Sequence, residues 1–375
     1  MADLFFEGPN SYTGEDVLEL YPHGNPLIVR ELLQAIRGIE GVRLAEPGEF
    51  TRRAFLNGKM DLTQAESVAD VIHSANRAEL ENAHRLLSGA LSKKIATLTA
   101  QVKDISARLE LDVDFAEEEA DPDFAGWETR FVSVRESIQQ ILNSFHGKAS
   151  LSRLPLAVLY GAPNAGKSSL VNALLGEDRV LVSNVPGTTR DFVEVRLFLP
   201  GGEVRLVDTA GIADRATDEL DALSMKKSKE ILEEADLKIL VVDGDVPATN
   251  DADVVVYSKS DLRSSTPATG DKNALQVSSK TGEGLAALKD IMNAALFKEN
   301  ANAEDLWITS EREKACLEEA LAGVDRVLDL LKNNPAVELL AFEMQLVRRA
   351  LQSITGEISS EDILQSIFAG FCIGK

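Results

Sequence analysis

The chain is poor in the residues that mark secreted and membrane proteins. Its 375 residues include two cysteines, Cys316 and Cys372. Two give no disulfide framework, so a reducing, cytoplasmic setting is expected. No apolar run approaches the roughly 18 residues that a membrane helix needs, and the start lacks a signal-peptide pattern. Positive charge is also scarce: 39 Lys and Arg stand against 61 Asp and Glu, a net charge of −22. Such a field excludes general attraction to nucleic acid, so any RNA contact needs a local basic patch or a partner. Repeats and low-complexity tracts are missing too.

What is there is enough for two or three globular domains, with 44% apolar and 27% charged residues. The most informative stretch is Gly161-Ala162-Pro163-Asn164-Ala165-Gly166-Lys167-Ser168. An apolar run, Leu156 to Tyr160, precedes it as a buried strand. Ser169 to Leu175 follows as a helix stopped by Gly176. Strand, glycine-bracketed loop, Lys-Ser and helix start are the parts of a P-loop. The glycines let backbone N–H groups turn inward around a phosphate, and the helix N-terminus adds partial positive charge. Lys167 reaches the outer phosphates, and Ser168 offers a hydroxyl to Mg²⁺. The stretch implies a nucleoside triphosphate site.

Four weaker patterns follow in the order of a guanine-nucleotide domain. Gly187-Thr188-Thr189-Arg190-Asp191 sits where a switch loop supplies a Thr to Mg²⁺ and a backbone contact to the γ-phosphate. Asp208-Thr209-Ala210-Gly211 ends a strand, which places Asp208 near the metal and Gly211 near the γ-phosphate. Ser258-Lys259-Ser260-Asp261 ends another strand, and the Asp261 carboxylate accepts both N–H groups on guanine's edge, a pairing adenine cannot make. Ser278-Ser279-Lys280 fits the last base-contacting loop. Five patterns in register imply a guanine-nucleotide domain. Ser258 stands where such motifs have Asn, whose amide ties the base to the phosphate loop; Ser is too short for both jobs, so weakened affinity is expected, with specificity retained because Asp261 remains. Ile212 stands where Ras-like enzymes keep a water-orienting Gln. Asn164 is the residue that suggests another means of neutralising charge, by holding a monovalent cation. On spacing alone it reads equally as a residue that shapes the loop.

Residues 151–299 alternate strand and helix, with Phe192–Leu199 and Val204–Val207 flanking Pro200-Gly201-Gly202 as a hairpin. Residues 58–150 and 300–375 are helical. Leu91, Ile95, Leu98, Val102, Ile105 and Leu109 form one apolar stripe, and Val337, Leu340, Met344, Val347, Leu351 and Ile354 a second. Neither block closes a core alone, so the α/β domain is read as an insertion between halves of one helical domain. Glu117-Glu118-Glu119 with Asp121-Pro122 reads as a solvated break. Ser310-Glu311-Arg312-Glu313 suggests a capping box, and Ser359-Ser360-Glu361-Asp362 a cap for a last helix docked by Ile363, Ile367 and Phe368. Residues 1–57 mix short strand and helix signals, and their start reads as incomplete.

These residues resemble the MnmE (TrmE) family of tRNA-modifying GTPases over essentially the whole chain. The resemblance also rests on Ser11-Tyr12-Thr13-Gly14-Glu15-Asp16, Pro47-Gly48-Glu49-Phe50-Thr51, Arg53-Ala54-Phe55-Leu56-Asn57-Gly58-Lys59 and the terminal Phe371-Cys372-Ile373-Gly374-Lys375. It implies a multi-domain α/β and all-α fold: a Ras-like P-loop GTPase domain inserted into a helical domain and preceded by a partial α+β folate-binding-type domain. It further implies a homodimeric, K⁺-activated GTPase acting with an FAD-containing partner (MnmG/GidA). Together these install a group at carbon 5 of the wobble uridine of certain tRNAs, using a tetrahydrofolate-borne one-carbon unit.

By position, Asn164, Ser183, Val185 and Thr188 would ring K⁺, within the loop Ser183-Asn184-Val185-Pro186-Gly187-Thr188-Thr189. Ser168 and Thr189 would hold Mg²⁺, and Glu19, Lys59 and Lys375 would contact folate, the tail doing so across the dimer. Asp221 aligns with the family's catalytic glutamate, one methylene shorter, and reads otherwise as a surface acid. Cys372 reads equally as a small buried hydrophobe and as a residue with a chemical role. Relative to the family about sixty N-terminal residues are absent, and Tyr21-Pro22-His23-Gly24 replaces a glycine-richer turn. Two rival readings follow: a truncated fragment that binds GTP without modifying tRNA, and a ribosome-assembly switch of the Era/EngA type.

Overall fold

The computed structural model describes residues 2–114, 124–147, 153–176, 193–209, 229–243, 252–262, 274–297, 306–333 and 335–374. These divide into two compact units. One holds residues 1–74, 79–150 and 304–375, and the other holds residues 75–78 and 151–303. The second unit is therefore an insertion within the first.

The first unit opens with β1 (Ala2–Phe6) and β2 (Val17–Tyr21), an antiparallel pair with Leu4 opposite Glu19. Helices α1 (Pro26–Arg37) and α2 (Glu49–Leu56) follow. Helix α1 starts where Asn25 accepts from the Leu27 N–H at 2.8 Å and Pro26 supplies a pre-set first turn.

The helical part then runs through α3 (Leu62–His73), α4 (Arg77–Leu87), α5 (Ala90–Asp114) and α6 (Phe124–Asn143). It resumes after the insertion, and its core is made jointly by both blocks. All six stripe residues of α5 are buried, and so are Leu340, Met344, Val347, Leu351 and Ile354. They belong to one cluster with Phe131, Ile138, Leu317 and Val324. Each such burial contributes about 1.5–3 kcal/mol. Helix propensities differ by less than about 1 kcal/mol per residue, so the stripes decide which helix faces meet. The ends of the insertion lie side by side: Phe145 pairs with Ile308, and the His146 N–H donates to Ile308 O at 3.0 Å. Asn82, buried on α4, pairs reciprocally with Trp307 through its amide oxygen (2.9 Å) and nitrogen (3.0 Å).

The inserted unit is a six-stranded sheet. Its elements are β3 (Leu156–Tyr160), α7 (Lys167–Leu175), β4 (Val193–Leu199), β5 (Gly202–Asp208), β6 (Leu237–Val242), β7 (Val254–Tyr257), β8 (Ala274–Gln276) and α8 (Leu285–Leu296). Strand order is β4-β5-β3-β6-β7-β8, with β4 alone antiparallel to its neighbour. Strands β3 and β7 are buried along nearly their whole length, as parallel strands covered on both faces must be. Residues 75–78 strap the β4–β5 turn: Arg77 N–H donates to Gly201 O at 2.9 Å and Glu203 N–H to Ala75 O at 3.1 Å. A Cβ on Gly202 would lie 2.8 Å from Ala75 O, which explains the glycine there.

Helices α9 (Glu311–Leu331), α10 (Val337–Thr355) and α11 (Glu361–Ala369) complete the first unit. Two local expectations need correction. Ser310 precedes α9 without a side-chain capping bond, so no capping box forms there; Arg312 instead reaches Glu66 at 2.7 Å and the α10 carbonyls of Ser353 and Ile354. On α11, Ser360 does accept from Ile363 N–H at 3.4 Å. The docking seam is Leu364, Phe368 and Phe371 against Leu62 and Ala65, while Ile363 is 41% exposed. Counting from the cap, Leu364 and Phe368 stand four apart on one face of α11 and Ile363 lies off it, while Phe371 joins the seam from just beyond the helix end.

The N-terminal stretches singled out by resemblance converge. Tyr12 Oη lies 3.0 Å from Thr51 Oγ1, Arg53 donates to Glu15 at 2.9 Å, and Asn57 donates to Thr13 O at 2.8 Å. Glu49 is their most engaged acid. It accepts both Arg43 terminal nitrogens at 2.7 Å, the Glu46 N–H at 2.8 Å and Arg53 at 2.8 Å. Arg43 foremost, then the Glu46 N–H and Arg53, hold its carboxyl down at about 2. A depressed carboxyl stabilises fully above its unfolded value and loses that contribution as pH falls through the folded one. Glu49→Gln should therefore lower the melting temperature at pH 6, and its difference from the unaltered chain should shrink from about pH 4.5 and vanish near pH 2. Thermal unfolding followed by circular dichroism across that range checks this, and a constant difference would contradict it.

Candidate functional site

The phosphate loop hangs between two elements whose register is set by the sheet. Strand β3 pairs in parallel with β5 so that Leu159 stands opposite Asp208, and with β6 so that Tyr160 stands opposite Leu240. At its end the chain must pass β6 closely: a Cβ on Gly161 would lie 2.2 Å from Val241 O, and its φ is +141°. No other residue fits there. Asn164 takes a left-handed φ of 60°, and Gly166 precedes α7 with φ 94°.

This turn carries the functional side chains to one place. Lys167, nearly fully buried, donates to Gly161 O at 2.9 Å and Ala162 O at 2.8 Å, so its ammonium lies over the loop. Ser168 Oγ donates to Asp208 Oδ2 at 2.6 Å. The Asp208 carboxylate is buried at the end of β5, and Thr209 Oγ1 donates back to Leu159 O at 3.0 Å. An exposed hydroxyl beside a buried carboxylate, under backbone amides at a helix start, is a donor set suited to a hard divalent cation with phosphate oxygens. Ser169, on the first turn of α7, is exposed.

The residues that the sequence reading assigns to the base lie at the ends of β7 and β8. Ser278 Oγ, wholly buried, donates to Asp261 Oδ1 at 2.7 Å and fixes that carboxylate. Ser278 Oγ also accepts from the Lys280 N–H at 3.2 Å, which orders the loop through Ser279. Lys259, with φ 57°, donates to Asn164 O at 3.2 Å and to the Asp243 carboxylate. Ser258 gives a result that its sequence position did not suggest. Its hydroxyl donates to Ala165 O at 2.6 Å, so the short side chain does perform one of the two jobs, the tie to the phosphate loop.

Asn164, Ala165, Gly166, Lys167, Ser168, Asp208, Thr209, Ser258, Lys259, Asp261 and Ser278 to Lys280 are thus assembled around the ends of the central strands. Ser183, Asn184, Val185, Pro186, Gly187, Thr188, Thr189, Ala210, Gly211, Ile212, Asp221 and Lys375 lie outside the described residues. In the other unit, Lys59 donates to Pro9 O at 2.7 Å, and Glu19 accepts from the Tyr21 hydroxyl. The tail sits on the N-terminal stretches of its own chain: the Gly48 N–H donates to Cys372 O at 3.4 Å, Ile373 pairs with Pro47, and Arg52 pairs with Glu361. Cys372 is exposed, which removes the reading of it as a buried hydrophobe. Among the described residues no helix is long and apolar enough to cross a membrane.

Comparison with known proteins gives two family matches and many relatives. The family model described as the MnmE helical domain matches residues 62–372, and that described as the GTP-binding protein TrmE N-terminus matches residues 2–59. The chain is similar to the tRNA modification GTPase MnmE of Methylobacterium radiotolerans, with 39% identity covering 99% of this chain and 85% of that protein. It is equally similar to the protein of that name from Dichelobacter nodosus, with 39% identity over 99% and 86%. The one from Leptospira interrogans is 34% identical over 99% and 85%.

The close approach at Gly161 yields a direct test. Gly161→Ala forces a Cβ against a strand carbonyl in a region of φ that L-residues avoid, which costs about 2 kcal/mol or more. Amide exchange on β3 and β6 should speed up in the variant, while exchange on α5 and α10 stays unchanged. Undisturbed exchange on β3 and β6 would contradict the reading of this turn.

Proposed function

The chain belongs to the MnmE (TrmE) family of tRNA modification GTPases, and on that premise we propose that it is a K⁺-activated GTP hydrolase that modifies carbon 5 of the wobble uridine with a folate-borne one-carbon unit. It is a GTPase of tRNA modification. The finer statements, covering the cation, the folate, the homodimer, the cytoplasmic setting and an MnmG/GidA-type FAD partner, are our reading. The observation that carries the GTPase chemistry is the Ser168–Asp208 pair at 2.6 Å beneath the phosphate loop.

In this reading Ser168 and, by its motif position, Thr189 hold Mg²⁺, with Asp208 behind Ser168. The metal neutralises charge on the outer phosphates. Lys167 leaves the carbonyls of Gly161 and Ala162 for the phosphate oxygens, while the loop amides from Asn164 to Ser168 and the start of α7 hold the phosphate chain. Asp261, steadied by Ser278, accepts the guanine N1–H and amino hydrogens. Ile212 cannot orient water, so that task falls to other residues. Asp221 is assigned the proton of the attacking water, reached through a second water because Asp is short. Asn164 offers its amide oxygen to K⁺ from an exposed left-handed turn of the loop, with Ser183, Val185 and Thr188 completing the ring. Bound there, K⁺ supplies the positive charge that an arginine supplies elsewhere.

Glu19, Lys59 and Lys375 are assigned to folate. The seat of the tail on Pro47 and Gly48 puts Cys372 and Ile373 beside one of the N-terminal motifs, but on that of their own chain, whereas the resemblance implies a contact across the dimer.

Three outcomes test the proposal. GTP should displace a fluorescent guanine nucleotide at concentrations where ATP does not; equal competition ends the guanine assignment. Hydrolysis should rise in K⁺ over Na⁺ at matched ionic strength, and Asn164→Ala should lose that response while still binding nucleotide. Asp221→Ala should lower kcat by about 10²–10⁴-fold and Asp221→Glu should restore or exceed the native rate. Equal rates in the two salts, or an unchanged kcat in both Asp221 variants, would remove the respective role.

A further inference from the structure

A guanine base offers two edges: N1–H and the amino group donate, while N7 and O6 accept. Resting on the guanine reading above, we infer that this chain reads guanine at its N1–H and amino edge and does not discriminate at N7, because the one hydrogen of the Ser258 hydroxyl is committed to a backbone carbonyl.

Asp261 serves the donating edge, and its carboxylate is fixed by Ser278 at 2.7 Å. An acceptor such as N7 needs a donor, and residue 258, three positions before Asp261 and against the phosphate loop, stands where that donor belongs. Ser258 is 4% exposed. Its Oγ lies 2.6 Å from Ala165 O and 3.2 Å from Val242 O, and both are carbonyl acceptors. A hydroxyl has one hydrogen, so whichever carbonyl takes it, only lone pairs remain to face a base. Nor can the side chain turn away cheaply. Its own N–H is bound to Val242 O at 2.9 Å, and a Cβ on Gly166 would sit 3.5 Å from both Ser258 Cβ and Oγ, so the loop is packed against it. The neighbouring ammonium is also engaged, since Lys259 Nζ donates to Asn164 O at 3.2 Å and to the Asp243 carboxylate. Both side chains stitch this loop to the phosphate loop. An asparagine amide carries two hydrogens on one nitrogen and can give one to a carbonyl and one to N7. Serine keeps the stitch and gives up the second bond. Residue 258 is thus the position that sets whether N7 is read.

The test is a displacement titration of the whole chain, at fixed Mg²⁺ and K⁺, with four diphosphates. These are GDP, 7-deaza-GDP in which N7 is a C–H, inosine diphosphate which lacks the amino group, and ADP. GDP and 7-deaza-GDP should bind within about twofold of each other, and inosine diphosphate about tenfold or more weaker, as expected for a lost bond to a carboxylate. In Ser258→Asn, GDP should gain about three- to tenfold over 7-deaza-GDP, the worth of one neutral hydrogen bond. Ser258→Ala should weaken both nucleotides together, leaving their ratio near one. That ratio is insensitive to general damage to the fold and needs no variant in the native chain. A fivefold or greater preference for GDP over 7-deaza-GDP in the native chain would overturn the inference and leave the guanine reading intact. A ratio of one in a folded Ser258→Asn would also overturn it, since residue 258 would then not face N7. ADP binding as well as GDP would instead sink the guanine reading itself.

Discussion

The register between two parallel strands governs the chemistry of this chain. Leu159 on β3 stands opposite Asp208 on β5. Because side chains alternate faces along a strand, a slip of one residue would turn Asp208 away from the helix that carries Ser168. The register is held by burial: Ala157 and Leu159 face one apolar cluster with Leu206, and Leu156 and Val158 face another with Val207. The 2.6 Å contact between the serine hydroxyl and the carboxylate is a consequence of core packing several residues away. So is the bare backbone at Gly161, which exists because β3 leaves the sheet against Val241 O.

Much of this was legible in the sequence because periodicity and glycine placement report backbone needs directly. The stripes from Leu91 to Leu109 and from Leu340 to Ile354 named a shared core, since a one-sided helix must bury that side somewhere. The order of the five nucleotide patterns named the sheet that had to carry them. What escaped were contacts set by distance rather than by type. Ser258 looked like a loss against asparagine, yet its hydroxyl sits within reach of Ala165 O because β7 ends close to the loop. Ser310 had the composition of a cap but not the bond, since Arg312 beside it is drawn to Glu66 and the end of α10. Ile363 and Leu364 are equivalent as letters, and only the start of α11 at Ser360 chooses between them. The strap at residues 75–78 left no pattern at all, because it works through backbone groups.

The tail shows how the first unit ties its two ends together. Leu364, Phe368 and Phe371 on one side meet Leu62 and Ala65 on the other, and a Cβ on Gly48 would crowd Phe368 at 3.0 Å. The cost of ordering a chain end is offset by this apolar burial, at about 1.5–3 kcal/mol per large side chain. Surface ion pairs such as Arg52–Glu361 add little beside it. Beyond Phe371 the burial ends: Cys372 and Ile373 are exposed, and only main-chain pairing with Pro47 and Gly48 holds them. Cys372 and Ile373 are therefore held against Pro47 and Gly48 by the main chain alone.

The inserted unit concentrates positive charge on nucleotide phosphate from partial sources, namely loop amides, a helix start and one buried lysine, so it needs no basic surface. Lys167 already satisfies its ammonium on Gly161 and Ala162 carbonyls. Binding phosphate exchanges those contacts for stronger charged ones rather than creating them, and the net gain is smaller than the ion pair alone would suggest. At the other end of the proposed site Ser258 gives its one hydrogen to a backbone carbonyl, while Ser278 fixes the Asp261 carboxylate that the proposal assigns to the base. In the proposed reading such a site separates choice from grip: a fixed carboxylate would select guanine, and the hold on it would be weak enough for turnover. With 61 acidic against 39 basic residues, long-range attraction cannot bring an RNA to this chain. Whatever tRNA contact it makes must rest on local groups or on a partner's charge.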